Sequence, residues 1–207
     1  MLIEAFIFDF DGVLCDSSLA HKTSLINALK SCGYSWNNDF EVTYEKVKNK
    51  KTIVKLNEFC NLQLIHNSDI FKIENLKQSL TIKEISTLKI QQNVPKLLRL
   101  IKLKNKKISI ASDAASATII EFLESNNCLS LFDLIVTSEM VNKKMKPFPD
   151  VYQEVIKRMN VNPNNSIVFE DTVDGINAAM AAGISNIRHC TYNNLHNILN
   201  IVYKSLL

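Results

Sequence analysis

Phe6-Ile7-Phe8-Asp9-Phe10-Asp11-Gly12-Val13-Leu14-Cys15-Asp16-Ser17 is the stretch whose reading decides the fold. From Ala5 to Phe8 the residues are apolar without alternation, which suits one strand buried on both faces of a parallel sheet. Asp9 and Asp11 follow at the strand's end, and Gly12 offers a backbone able to take positive φ in a tight turn. Ligands of open parallel sheets bind just beyond the carboxyl ends of the strands. Two carboxylates at that edge repel one another unless a cation or a raised pKa relieves them. A solitary Asp-x-Asp reads more often as a capped strand end with two solvated acids. The rest of the chain decides between the two readings.

Immediately downstream, Ser17 and Ser18 can cap a helix over Leu19–Lys30, with Gly33 past its end. Helical spacing then continues to Gln92, and no Gly or Pro occurs between Tyr34 and Val94. Asn93-Val94-Pro95 marks the return, with Asn93 as the expected N-cap and proline in the first turn. Beyond it strands and helices alternate. Strands are expected at Lys107–Ser112, Leu134–Thr137, Ile167–Phe169 and Asn186–His189. Helices are expected at Ser116–Asn127, Pro149–Met159, Asp174–Ala182 and Asn194–Lys204. One helix between successive strands requires right-handed crossovers and a parallel sheet. The expected fold is α/β: a Rossmann-like parallel sheet with helices on both faces, made of residues 1–16 and 93–207, plus an inserted all-helical cap domain, residues 17–92.

A chain of 207 residues with 46% hydrophobic content can bury a sizeable core as one domain carrying an insertion. A formal charge of +3 is too small to argue for a nucleic-acid partner, and the cluster Lys102, Lys104, Lys106 and Lys107 reads as a solvated helix end. The 5 cysteines are odd in number, widely spaced and lack a C-x-x-C pair, which argues against a disulfide framework or zinc site and fits a reducing compartment. No apolar run reaches the length of a membrane span, and acids at positions 4, 9 and 11 interrupt any signal-peptide core. A soluble, cytoplasmic protein without membrane contact is expected. Nothing in the sequence specifies an oligomeric state.

Polar groups arrive at four strand ends of this expected sheet: Asp9 and Asp11, then Ser112 and Asp113, then Lys146 in Lys146-Pro147-Phe148-Pro149-Asp150, then Glu170-Asp171-Thr172. Asp-Phe-Asp-Gly-Val-Leu, Ala-Ser, Lys-Pro-x-Pro-Asp and Glu-Asp-Thr-x-x-Gly-Ile-x-Ala-Ala-x-x-Ala-Gly together resemble the haloacid dehalogenase-like hydrolase superfamily. The likeness is to its helical-cap branch, which holds phosphoglycolate phosphatase and β-phosphoglucomutase-like enzymes. It spans the whole length and is weakest inside the cap.

The chemistry suits those residues. Phosphoryl transfer needs positioning and charge neutralisation. Asp9 can attack phosphorus to give an aspartyl phosphate, and Asp11 can protonate the leaving oxygen and then activate water. Asp9 and Asp171 suit Mg²⁺, with the carbonyl of Asp11 completing the set in relatives and Glu170 acting through a water. Lys146 and the Ser112 hydroxyl can bind phosphate oxygens.

Other positions carry two readings each. Asp150 and Asp174 stand where helices begin, and capping accounts for them. His21 matches the spacing of a cap-hinge histidine in sugar-phosphate mutases and equally an exposed first-turn histidine. Lys50 stands near a cap arginine that holds substrate phosphate in relatives and also reads as a solvated lysine. Asp113 takes a place beside the phosphate site that is often small and neutral in relatives.

The resemblance implies a Mg²⁺-dependent phosphatase acting on a small phosphorylated metabolite of the sugar phosphate or phosphoglycolate type. A phosphomutase of the β-phosphoglucomutase type shares these motifs. Mutase relatives, however, follow the Ser112 position with a further Ser and a Lys, where this chain reads Asp113-Ala114-Ala115. A phospho-acceptor signalling module also combines strand-end acids, a lysine and Mg²⁺. The long insertion and the Asp9/Asp11 pair argue against it.

Overall fold

The structure, a computed structural model, describes residues 3–48, 50–142 and 144–204. Strand β1 (Ala5–Phe8) is buried at every position, as its unbroken apolar run requires. It is flanked by β2 (Lys107–Ser112) and β4 (Ser166–Glu170), with β3 (Leu134–Thr137) beyond β2 and β5 (Asn186–His189) beyond β4. All pairings are parallel, and the register sets Phe8 beside Ile110 on one side and Phe169 on the other. The strand order β3-β2-β1-β4-β5 puts the change of winding direction at β1. Asp9 therefore leaves the sheet at the crevice where α/β ligands bind.

Side chains of β1 divide between the two faces as strand alternation demands. Ile7 joins Ala111, Val136, Val151, Tyr152, Val168 and Ala178 in one core layer, which buries the apolar faces of α7 (Asp150–Met159) and α8 (Val173–Ala181). On the other face Phe8 stacks on Phe169 at 4.6 Å between centroids, and Phe6 lies 6.2 Å from the same ring. Phe10, just past the strand, meets Phe122 of α6 (Ser116–Ser125) edge-on at 5.3 Å. Helices α5 (Val94–Leu103) and α9 (Leu195–Lys204) also pack on one another.

The chain divides into two compact units, Met1–Ser17 with Ile85–Leu207, and Ser18–Glu84. The second is helical: α1 (Ser18–Ser31), α2 (Asn38–Val47) and α3 (Thr52–Asn61), with most of α4 (Ile70–Thr87). It has its own core of Leu25, Leu29, Phe40, Leu56, Phe59 and Ile73. Its downstream boundary falls within α4, ahead of the return expected at Asn93. Asn93 does not cap α5 with its side chain, because its backbone is already helical at φ −93° and ψ −8°. At α8 the cap is Thr172, whose Oγ1 accepts from Gly175 N–H at 3.0 Å, and Asp174 lies inside the first turn. Asp150 likewise opens α7 from within its first turn, where it pairs with Lys144 at 3.0 Å. Among the described residues no helix is long and apolar enough to cross a membrane.

Candidate active site

Four of the expected positions converge at the C-terminal edge of the sheet. Lys146, from the loop between β3 and α7, places its Nζ 2.6 Å from Asp9 Oδ1 and 2.5 Å from Glu170 Oε1, and donates to the Ala111 carbonyl at 3.0 Å. Its side chain is 6% exposed, and Glu170 is wholly buried. A buried ammonium needs such partners, and the end of β1 supplies one carboxylate while the end of β4 supplies the other. Carboxylate oxygens of Asp9, Glu170 and Asp171 lie within 4.8 Å of one another.

The cluster holds more negative charge than its lysine offsets. Burial drives Asp9 well above the ordinary carboxylate range, with Lys146 opposing and Glu170 adding to the rise. Burial and then Glu170 push Asp171 up to about 6. Asp171 Oδ1 is buried and has no hydrogen-bond partner among the described residues. An unpaired buried carboxylate oxygen beside further carboxylates is the donor set a hard divalent cation takes. The residues present fit such an ion. Asp11 is half-buried, and its charge bears on both Asp9 and Asp171.

Gly12, at φ 79°, turns the chain beyond Asp11, and a Cβ there would fall 2.1 Å from Asp171 Oδ2. Glycine is thus required twice at this position, by the turn and by the approach of β4's acid. Gly175 serves Glu170 in the same way: a Cβ would sit 1.9 Å from Glu170 Oε1.

Both oxygens of Glu170, the residue expected to act through a water, accept hydrogen bonds from protein groups. Oε1 accepts from Lys146 and from Tyr152 O–H at 2.9 Å. Oε2 accepts from Asp171 N–H, Thr172 N–H and Thr172 O–H at 3.0, 3.2 and 3.2 Å. The attraction of Lys146 and these hydrogen bonds outweigh burial, so Glu170 titrates below the ordinary range. Tyr152 was not singled out by its position in the sequence, where it reads as one more core residue of α7.

Asp113 turns its carboxylate to the loop, accepting the Lys146 backbone N–H at 3.1 and 3.3 Å. Its unusual charge thus tethers the segment carrying the lysine. Ser112 is buried at the end of β2, and its Oγ accepts from Ala114 N–H at 3.1 Å.

His21 and Lys50 belong to the helical unit. His21 Nδ1 lies 3.1 Å from Nζ of the buried Lys77, and Lys50 is exposed. Lys55 was also unforeseen. It is half-buried on α3 and lowered to about 8 by burial and by the charge of Lys77.

The sequence model of the haloacid dehalogenase-like hydrolase family matches residues 6–188. A phosphorylated carbohydrates phosphatase of Thermotoga maritima is 29% identical over 189 residues, covering 89% of this chain and 84% of that protein. In structure, a β-phosphoglucomutase of Clostridium difficile superimposes with a TM-score of 0.74 at 23% identity, covering 99% of each chain. CbbY of Rhodobacter sphaeroides, in complex with phosphate, superimposes with a TM-score of 0.76 at 19% identity, covering 92% of this chain and 88% of that one.

Proposed function

We propose that this chain, which belongs to the haloacid dehalogenase-like hydrolase family and is a phosphoric monoester hydrolase, acts on a small phosphorylated metabolite through an aspartyl phosphate on Asp9. The phosphorylated carbohydrates phosphatase of Thermotoga maritima supports a sugar phosphate as the substrate class. The carrying observation is the group of Asp9, Glu170 and Asp171 oxygens around one buried lysine, with Asp171 Oδ1 left unpaired. The inserted helical segment, residues 17–92 by the sequence reading, is the part of the chain that would select among substrates.

Asp9 attacks phosphorus while the bond to the leaving oxygen breaks, and Asp11 delivers its proton to that oxygen. In the second step Asp11 takes a proton from water, the water oxygen bonds to phosphorus, and Asp9 is released with inorganic phosphate. Lys146, held 2.6 Å from Asp9 Oδ1, opposes the charge of the phosphoryl oxygens from a position already set beside the nucleophile. The Ser112 hydroxyl donates to one of those oxygens, and Asp113 keeps the Lys146 loop in place. Asp9 and Asp171, with the Asp11 carbonyl, would hold Mg²⁺. When bound it would neutralise those carboxylates and polarise the phosphoryl group.

A panel of sugar phosphates, phosphoglycolate and nucleotides, assayed with Mg²⁺ and with EDTA, tests this reading. Phosphate release should require the metal and vanish in Asp9→Asn, along with acid-stable labelling of the protein by substrate phosphate. Full turnover in chelator, or near-native activity of Asp9→Asn, would sink it. Conversion of β-glucose 1-phosphate to glucose 6-phosphate faster than phosphate release would replace the hydrolase with a phosphomutase.

A further inference from the structure

Lys146 spends its three Nζ protons on Asp9 Oδ1, the Ala111 carbonyl and Glu170 Oε1. Its position therefore depends in part on how well the carboxylate of Glu170 is held. One side of that carboxylate is fixed by the backbone and hydroxyl of the β4 end, through three bonds to Oε2. The other side is fixed from α7. There the wholly buried Tyr152 donates its O–H to Oε1 at 2.9 Å, and its ring centroid lies 5.0 Å from the Lys146 ammonium. The same side chain thus touches both members of the ion pair, with its hydroxyl on the acid and its π-face under the cation.

We propose that Tyr152 is the positioning residue for Lys146, acting through Glu170. Its part in turnover rests on the hydrolase reading; its hold on Lys146 does not. The hydroxyl matters most when a phosphoryl oxygen claims one of the Lys146 protons. Glu170 Oε1 then loses part of its bond to the ammonium while remaining buried and charged. Tyr152 keeps a donor on that oxygen, so the carboxylate does not turn to seek another, and Lys146 keeps its place.

Tyr152→Phe tests this, because it retains the ring and removes only the hydroxyl. The variant should lose roughly tenfold in kcat with KM changed less than about twofold, the pattern of a group whose effect is realised in the transition state. In a Lys146→Met background the same change should cost nothing further, whereas an equal loss there would show a role unrelated to the lysine. An independent readout is the rate at which an amine-acylating reagent labels Lys146, followed by peptide mass spectrometry on the folded, metal-free protein. Labelling should rise several-fold in Tyr152→Phe. It should also rise in Glu170→Gln, which leaves Tyr152 in place and covers the case in which Tyr152→Phe does not fold. Unchanged labelling in either folded variant overturns the proposal, as does an unchanged kcat in an enzyme that turns over. If the wild type releases phosphate from no monoester while labelling still rises, the hydrolase reading falls and the hold of Tyr152 on Lys146 stands.

Discussion

A Cβ at Gly175 would fall 1.9 Å from Glu170 Oε1, inside any permitted contact, and the carboxylate it meets is held at both oxygens. Alanine is the better helix former by about 1 kcal/mol. Here that gain is set against displacing a buried ion pair, at a cost of about 1–3 kcal/mol for overpacking. Gly175→Ala should therefore lower the melting temperature and depress kcat by tenfold or more. A more stable variant with unchanged kcat would show that Glu170 is not confined where the structure puts it. Lys55 calls for the opposite sign. Burial and Lys77 lower it to about 8, against roughly 10.4 in an unfolded chain. Between those values the unfolded state binds more protons, so stability rises with pH through that window, and the penalty is largest below pH 8. Lys55→Met should stabilise the protein at pH 7 by on the order of 1 kcal/mol and flatten the slope between pH 8 and pH 10. Denaturant titrations at several pH values would show it, and a less stable Lys55→Met would mean that the ammonium is compensated.

At the scale of elements, the loop between β3 and α7 depends on one acid. Asp113 accepts the Lys146 N–H with both oxygens, so Asp113→Ala should speed hydrogen exchange at that amide by tenfold or more and reduce kcat several-fold. Exchange at the wild-type rate would remove Asp113 from this role. The strands and the acids at their ends were legible in the sequence, because apolar runs locate β1, β2 and β4 and parallel winding sends all their C-termini to one edge. The partners were not. Tyr152 occupies a helical core position beside Val151 and Val155, and nothing in that spacing announces a hydroxyl aimed at a residue 18 positions on. Asn93 looked like a cap by composition, yet its helical backbone keeps its side chain from the orphan N–H groups. In the helical unit, apolar spacing located helices but gave no sign that Lys77 would be buried 3.1 Å from His21. Side-chain pairing between distant segments is set by tertiary packing, which local periodicity does not encode.

At the scale of the whole molecule, the two units carry separate cores, and the chain's single tryptophan reports on only one of them. Trp36 packs against Phe40, Tyr44 and Phe59 at 5.5, 5.7 and 6.2 Å and donates its indole N–H to Glu41 at 2.8 Å, all within Ser18–Glu84. The clustered carboxylates of Asp9, Glu170 and Asp171 belong wholly to the other unit. A cation that binds the folded sheet unit and not the unfolded chain stabilises it by mass action, about 2.7 kcal/mol at a hundredfold excess over Kd. Mg²⁺ should thus raise the melting transition of the sheet unit and leave the Trp36 fluorescence transition close to its metal-free position. Far-UV circular dichroism, which sees both units, should then separate into two steps. Asp171→Asn should abolish the metal-induced shift without moving the Trp36 transition. If fluorescence and dichroism instead follow a single transition that moves as one with Mg²⁺, the units unfold together. The helical unit would then owe its stability to the sheet unit and not to its own core.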